Sequence, residues 1–421
     1  MNNATGDLSL ELSDSVLRKF LAGCQGELDR PVYLYDMDVL GARIRRLKDL
    51  FGAEFDVSFA IKSNPNHSLL ERVAALIDTF DASSFAEVGR ARRAGMAPER
   101  ISYSGPGKRR SELDAVIGTG VELVVESFDE IEEAAELART KGLIQKVLIR
   151  INPDHVPRGF GASMSGKPSQ FGFDEMVTAE AIAAIDAATH LELVGLHIYT
   201  GSNCLTVDAL IENFQNMARL FLHFSQGGQR RLEKLIFGAG FGLPYHAGQE
   251  PLDILAVSQR TLDLATDLRG HPGLAQTRFV LELGRWLVGP CGALLTSVLS
   301  VKESRSQRIA VCDAGFNNHL AACGLMGSVF RKDWPIRHLT ATSPTVESVK
   351  LTGPLCTSID ALAGPLDLPA IRRGDVLAVM LSGAYGLTAS PTRFISHPDP
   401  VEILHENGQF RDATDHPVNL S

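Results

Sequence analysis

From Phe55 onward the chain alternates between short apolar runs and longer stretches with apolar residues at helical spacing. The runs are FDVSFAIKS (Phe55–Ser63), TFDASS (Thr79–Ser84), ISYSG (Ile101–Gly105), VELVVES (Val121–Ser127), KVLIRIN (Lys146–Asn152), LVGLHIYTG (Leu193–Gly201), KLIFGAG (Lys234–Gly240) and FVLELGR (Phe279–Arg285). Their brevity and β-branched content predict strands. The intervening segments Leu69–Ile77, Ser111–Ile117, Phe128–Thr140 and Val207–Phe224 predict amphipathic helices, and Asp129 and Glu130 suit the N-terminus of the third. Eight strands alternating with helices predict an α/β fold, a (β/α)8 TIM-like barrel over residues 38–290.

After residue 291 the texture changes. LLTSVLSVKE, RIAVCDAG, SVKLTGPLC, DVLAVMLSGAYG and PVEILHENG read as strands separated by Gly/Pro turns, which predicts a C-terminal all-β domain. The early run PVYLYD (Pro31–Asp36) suits that domain better than the barrel, so residues 1–37 and 291–421 are expected to form one β unit completing the active site.

Composition excludes more than it identifies. The 421 residues are 44% hydrophobic and 22% charged, with 41 basic against 50 acidic side chains and a net charge of −9, so no basic excess points to nucleic acid or an anionic membrane. The N-terminal MNNATGDLSLELSD has neither the positive nor the apolar part of a signal peptide. The run Trp286–Val301 is broken by Gly289, Pro290 and Gly292, which argues against a membrane span. Cys24, Cys204, Cys291, Cys312, Cys323 and Cys356 show no CxxC or CxxH spacing, so neither a disulfide framework nor a structural zinc site is expected, and no metal site is assigned. A cytoplasmic protein is the default.

In a parallel barrel the chemistry gathers at the C-terminal strand ends. There the sequence places Lys62, Asp81 with Ser84, Ser104, Glu126, Arg150 with Asn152, His197, the loop Gly238–Gly242, and Glu282 with Arg285. GAGFG followed by ELGR has the makings of a phosphate cradle, since glycines let backbone N–H groups approach an anion and arginine adds bidentate hydrogen bonds. A plain tight turn would look the same in isolation. Lysine, histidine and an inward glutamate beside a phosphate site suggest pyridoxal 5'-phosphate, which joins a lysine as a Schiff base. Each residue also has an ordinary explanation: a snorkelling strand-end lysine, a satisfied core histidine, half of a buried ion pair.

In order, FAIKSN, FDASSFAE, SGPGK, RINPD, GLHIYTGS, GAGFGLPY, ELGR, CDAGFN, GPLCTSID and SGAYG resemble the fold type III, alanine-racemase-like pyridoxal-phosphate decarboxylases of ornithine, diaminopimelate and arginine, from Pro31 to Leu404. The resemblance implies a Schiff base on Lys62, His197 over the ring, Glu282 on the pyridine nitrogen, and phosphate contacts from Ser202, Gly240, Arg285 and Tyr385. Asp81, Arg150, Gly238 and Gly284 complete the implied cofactor set. It further implies a homodimer in which Cys356 of a second subunit acts as the acid at the product carbon.

Thr357 stands where members acting on basic amino acids carry an acid for the distal ammonium, and Asp360 is the candidate to compensate. Ala239 replaces a usual glycine. The wording GPGK, KPSQFGF and SGAYGLTASP is similar to a subgroup in specialised biosynthesis, the butirosin-pathway-like and exosortase-associated decarboxylases, the former acting on glutamate carried as a thioester on an acyl carrier protein. The expected substrate is thus a small amino acid, free or tethered to an acyl carrier protein. Lys108–Arg110 reads as a solvated helix start, with carrier docking as the alternative. A conventional diaminopimelate or ornithine decarboxylase, a racemase on the same barrel, and a non-catalytic binding paralogue are the competing readings.

Overall fold

A computed structural model of the chain describes residues 10–325 and 333–415; residues 1–9, which hold most of the N-terminal stretch read above, lie outside the described residues. All eight expected strands are present: Phe55–Ala60, Thr79–Ala82, Ile101–Tyr103, Glu122–Val125, Gln145–Asn152, Leu191–Ile198, Lys234–Gly238 and Arg278–Leu283. They pair in chain order, all parallel, and Arg278–Leu283 returns to Phe55–Ala60, which closes the barrel. Phe128–Thr140 and Val207–Phe224 are helices at the expected bounds, while the other two shift slightly to His67–Ala74 and Arg110–Val116. Ser127 sets one of these starts, its hydroxyl accepting the N–H of Glu130.

The period of two along a strand sorts its side chains into two cores. Val124, Leu148, Val194, Ile236 and Val280 form a small buried cluster of their own, the lining of the barrel. Phe237 faces outward, with ring centroids 4.9 Å from Phe221, 5.5 Å from Phe55 and 6.1 Å from Phe214. One step of two residues beyond Val124, Leu148 and Val280 come Glu126, Arg150 and Glu282. The strands therefore lift charged groups to the mouth of a dry interior.

The second unit is a sheet ordered Ala361–Pro369, Val346–Thr352, Gln307–Cys312, Gly292–Ser304, Val32–Asp36, Val401–Glu406 and Gln409–Asp412. Val32–Asp36 lies inside it, antiparallel to Gly292–Ser304 and parallel to Val401–Glu406. Its last residue, Asp36, caps the helix Met37–Phe51, which leads the chain into the barrel. Among the described residues no helix is long and apolar enough to cross a membrane.

Phe237→Ala is expected to cost about 3–5 kcal/mol, as for other buried aromatic truncations, measured by urea unfolding. A loss below about 1 kcal/mol would show that this aromatic cluster does not hold the barrel to its helices.

Candidate active site

Lys62 stands in a single 3-10 turn, Ile61–Ser63, directly after the first barrel strand. Its Nζ lies 3.6 Å from Asp81 Oδ2 and 3.8 Å from Glu282 Oε1, and 5.3 Å from the centre of the Tyr199 ring. Burial works against the ammonium, but Asp81 and Glu282 overturn that effect and hold its pKa above the ordinary lysine value. His197 Nε2 approaches Glu282 Oε2 at 2.9 Å. Burial alone would raise the Glu282 carboxyl; the charges of His197 and Lys62 reverse this and lower it. Asp81 is shifted the other way, upward, by burial and then by the neighbouring Glu282 carboxylate. Ser104 Oγ donates to Asp81 Oδ1 at 2.9 Å and fixes its orientation.

A second group adjoins the first. Arg285 Nε donates to Ser202 Oγ at 3.3 Å, its Nη1 to the Tyr245 hydroxyl at 3.3 Å, and its guanidinium lies 4.6 Å from the centre of the Tyr385 ring. Gly240 has a φ of +66°, and a Cβ there would meet the Gly201 carbonyl at 2.9 Å. Gly238 ends its strand against Tyr199, and Gly284 packs on the Ser63 side chain. Tyr385 comes from the β unit in a left-handed conformation, φ +53°, and its N–H donates to the Ser63 carbonyl at 2.9 Å. The two groups thus share the Lys62 turn.

Arg150 does not reach this pair by a hydrogen bond; Glu126 takes its Nη1 at 3.2 Å from each oxygen. Burial would raise Glu126, but Arg150, Lys108 and the Gly105 N–H hold its carboxyl below the usual range. Cys356 is exposed on the loop before Asp360, and no hydrogen bond of that loop reaches Lys62 among the described residues. Asp360 itself is buried, its oxygens accepting the N–H groups of Phe316 at 2.9 Å and Leu355 at 2.8 Å. The reading of Lys108 as solvated is corrected: its side chain is 1% exposed and its ammonium pairs with Glu130 at 2.9 Å, while Arg110 pairs with Glu136. Tyr199 and Tyr245 were not singled out from the sequence, although both sit in motifs read there, HIYTGS and GFGLPY.

Glu282 Oε1 and Asp81 Oδ2 are buried without a hydrogen-bond partner, while Glu282 Oε2 faces His197 Nε2. Buried polar atoms in folded proteins are otherwise paired. A carboxylate awaiting a donor, a lysine held between acids, and an arginine beside a glycine turn match the ring nitrogen, aldehyde and phosphate of pyridoxal phosphate. A barrel with such a mouth defines a pyridoxal-phosphate enzyme.

The comparisons narrow the class. The family model described as pyridoxal-dependent decarboxylase, pyridoxal binding domain, matches residues 37–289, and the chain belongs to that family. It is 33% identical over 390 residues to the L-glutamyl-[BtrI acyl-carrier protein] decarboxylase of Niallia circulans, covering 91% of this chain and 90% of that one. It is 32% identical over 394 residues to the diaminopimelate decarboxylase of Methanothermobacter thermautotrophicus, covering 91% and 88%. The crystal structure of diaminopimelate decarboxylase from Helicobacter pylori complexed with L-lysine superposes with a TM-score of 0.83 at 28% identity, covering 93% and 95%. The protein is a pyridoxal-phosphate-dependent amino-acid decarboxylase.

A carboxylate held below its unfolded pKa stabilises the fold above that value and loses the contribution as pH falls through the folded one. For Glu126 the unfolded value is about 4.3. Chemical denaturation between about pH 7 and pH 3 should show the wild type losing stability on acidification more steeply than Glu126→Gln. Parallel curves would mean that the Arg150 pair does not hold the Glu126 proton off.

Proposed function

We propose that this decarboxylase acts on an aminoacyl group tethered as a thioester to a carrier protein, in specialised biosynthesis. The observation that carries the proposal is the loop Leu355–Asp360. Thr357 is neutral, and Asp360 spends its carboxylate on two buried backbone N–H groups, so neither serves a distal ammonium. An ammonium buried without a counter-charge is costly, which disfavours ornithine, lysine and diaminopimelate. The likeness to a carrier-protein-linked glutamate decarboxylase over nearly the whole chain supports the same substrate class. Lys108 has no part in carrier docking, since its charge is buried against Glu130.

The site residues have the following roles. Lys62 supplies the amine that holds the cofactor and is returned when product leaves. Glu282 would hold a proton at the ring nitrogen of the cofactor, and His197 would pack on the ring. Asp81 keeps the Lys62 amine oriented and charged. Arg285, Ser202, the N–H groups of Gly238, Gly240 and Gly284, and Tyr385 receive the phosphate, and Arg150 supports the site from behind His197. Pyridoxal phosphate, when bound, supplies the conjugated ring that takes up the electron pair left by departing CO2. Cys356, exposed and unconnected to Lys62 within its own chain, reaches the site of a second subunit and delivers a proton to the product carbon. The working assembly is a homodimer with shared active sites, in the cytoplasm.

Lys62→Ala should abolish both the visible absorption of the bound cofactor and CO2 release, whereas Cys356→Ala should keep the absorption and lose turnover. Retention of both signals by Lys62→Ala would sink the assignment of the cavity.

CO2 release is to be compared across free ornithine, lysine, diaminopimelate, arginine and glutamate, and glutamate loaded on a carrier protein. Turnover restricted to the loaded carrier is expected. Efficient turnover of a free basic amino acid would overturn the argument from Thr357 and Asp360.

A further inference from the structure

Glu126 stands one residue past the fourth barrel strand, and its carboxylate ties three pieces of chain together. It accepts the N–H of Gly105 in the loop after the third strand, the N–H of Gly172 at 3.1 Å, and Arg150 Nη1 at 3.2 Å from both oxygens. Its own N–H donates to Glu130 at 2.9 Å, and Glu130 is held in turn by the buried Lys108. The Arg150 guanidinium lies 4.6 Å from the centre of the Phe171 ring, the residue beside Gly172. Gly172 is at φ +66°, where a Cβ would come within 2.7 Å of the Arg150 carbonyl.

The chain from 160 to 173 runs along the ends of the strands that carry Arg150 and His197. Phe160 packs against Gly201 and Gly240 at the phosphate end, and the Met164 N–H donates to the Thr200 carbonyl at 2.8 Å. At the far end the strap is fastened by Phe171 on Arg150 and by Gly172 on Glu126. Arg150 is the register partner of His197 on the neighbouring strand and contributes to the field at Glu282.

We propose that Glu126 is a positioning residue for decarboxylation: it fixes the Arg150 guanidinium beside His197 and latches Phe171–Gly172 at the rim of the barrel mouth. Without its charge, Arg150 becomes an uncompensated buried cation, and a charge in a low-dielectric interior acts over several ångströms. The inference rests on assigning the Lys62–Glu282 cavity to the cofactor, but the two fail separately, because Lys62→Ala tests the cavity and substitutions at 126 and 172 test the latch.

Glu126→Gln keeps the shape but removes the charge and leaves one acceptor oxygen for the two backbone N–H groups of Gly105 and Gly172; Gly172→Ala keeps the charges but pushes the latch apart. Both holoenzymes are measured for kcat and KM, for melting temperature, and for the pH dependence of the visible absorption of bound cofactor. The charged groups facing that region are Lys62, Asp81, Arg150, His197 and Glu282, with Lys108 and Glu130 behind Glu126. Glu126→Gln is expected to lower kcat about 10- to 100-fold with little change in KM, as misplacement at a site does, and to move the pH at which the absorption changes. Gly172→Ala is expected to lower kcat without moving that pH. The proposal is overturned if both variants keep kcat within about twofold of wild type and the Glu126→Gln absorption titration superimposes on it, even where the melting temperature falls. If Glu126→Gln does not fold, Gly172→Ala decides alone: a normal kcat overturns the latch.

Discussion

The structure turns on one ammonium held between two carboxylates. Lys62 faces Asp81 and Glu282 at under 4 Å, and Glu282 also faces His197. Four ionisable side chains in a barrel mouth are tolerable only if their charges offset one another and their geometry is fixed from outside. Ser104 fixes Asp81, the strand fixes Glu282, and the Ile61–Ser63 turn fixes Lys62. Each anchor is a strand end, so the closed barrel is the frame that brings residues 62, 81, 197 and 282 to one point.

The β unit is tied to that point at the backbone. The Asn64 side chain donates to the Gly383 carbonyl at 2.9 Å, and Tyr385 donates to Ser63, so the turn carrying Lys62 is pinned from both sides by the segment 383–385. Tyr385 holds a left-handed φ, a conformation that costs free energy for a side-chain-bearing residue and persists where surrounding contacts over-determine it. The strain sets its ring against Arg285. A second path runs through Tyr245, which stacks on Trp334 at 4.1 Å between centroids while its hydroxyl accepts from Arg285. The phosphate end of the cavity thus depends on aromatic side chains from both units.

Much of this was legible in the sequence because barrel strands are short, apolar and followed by polar punctuation. The eight strands, two helices to the residue, and the strand-end charges all followed from pattern. What pattern could not supply was partnership with backbone. Asp360 looked like a spare acid near Thr357, and its carboxylate proved to be taken by the Phe316 and Leu355 N–H groups. Glu126 was visible as a polar strand end, but two of its three partners are a backbone N–H on separate loops, which no side-chain pattern announces. Lys108 looked solvated inside a basic run; only the docking of helix Phe128–Thr140, with Glu130 in its first turn, buries it. Tyr199 and Tyr245 sit within motifs, HIYTGS and GFGLPY, whose other residues drew the attention.

Two lines of buried charge meet where the strands Gln145–Asn152 and Leu191–Ile198 run side by side. One passes from Lys108 through Glu130 and Glu126 to Arg150; the other passes from Lys62 past Asp81 and Glu282 to His197. Arg150 and His197 are register partners, so the two lines end side by side. Each is tolerable because its own carboxylate faces it, Glu126 in one case and Glu282 in the other. Removing the Glu126 carboxylate leaves Arg150 a buried cation whose cost exceeds the net worth of the lost pair, and it also alters the field at Glu282 in the other line. Stability and reactivity are therefore not separable here, because the same ion pairs that let these residues be buried determine which of them carry protons.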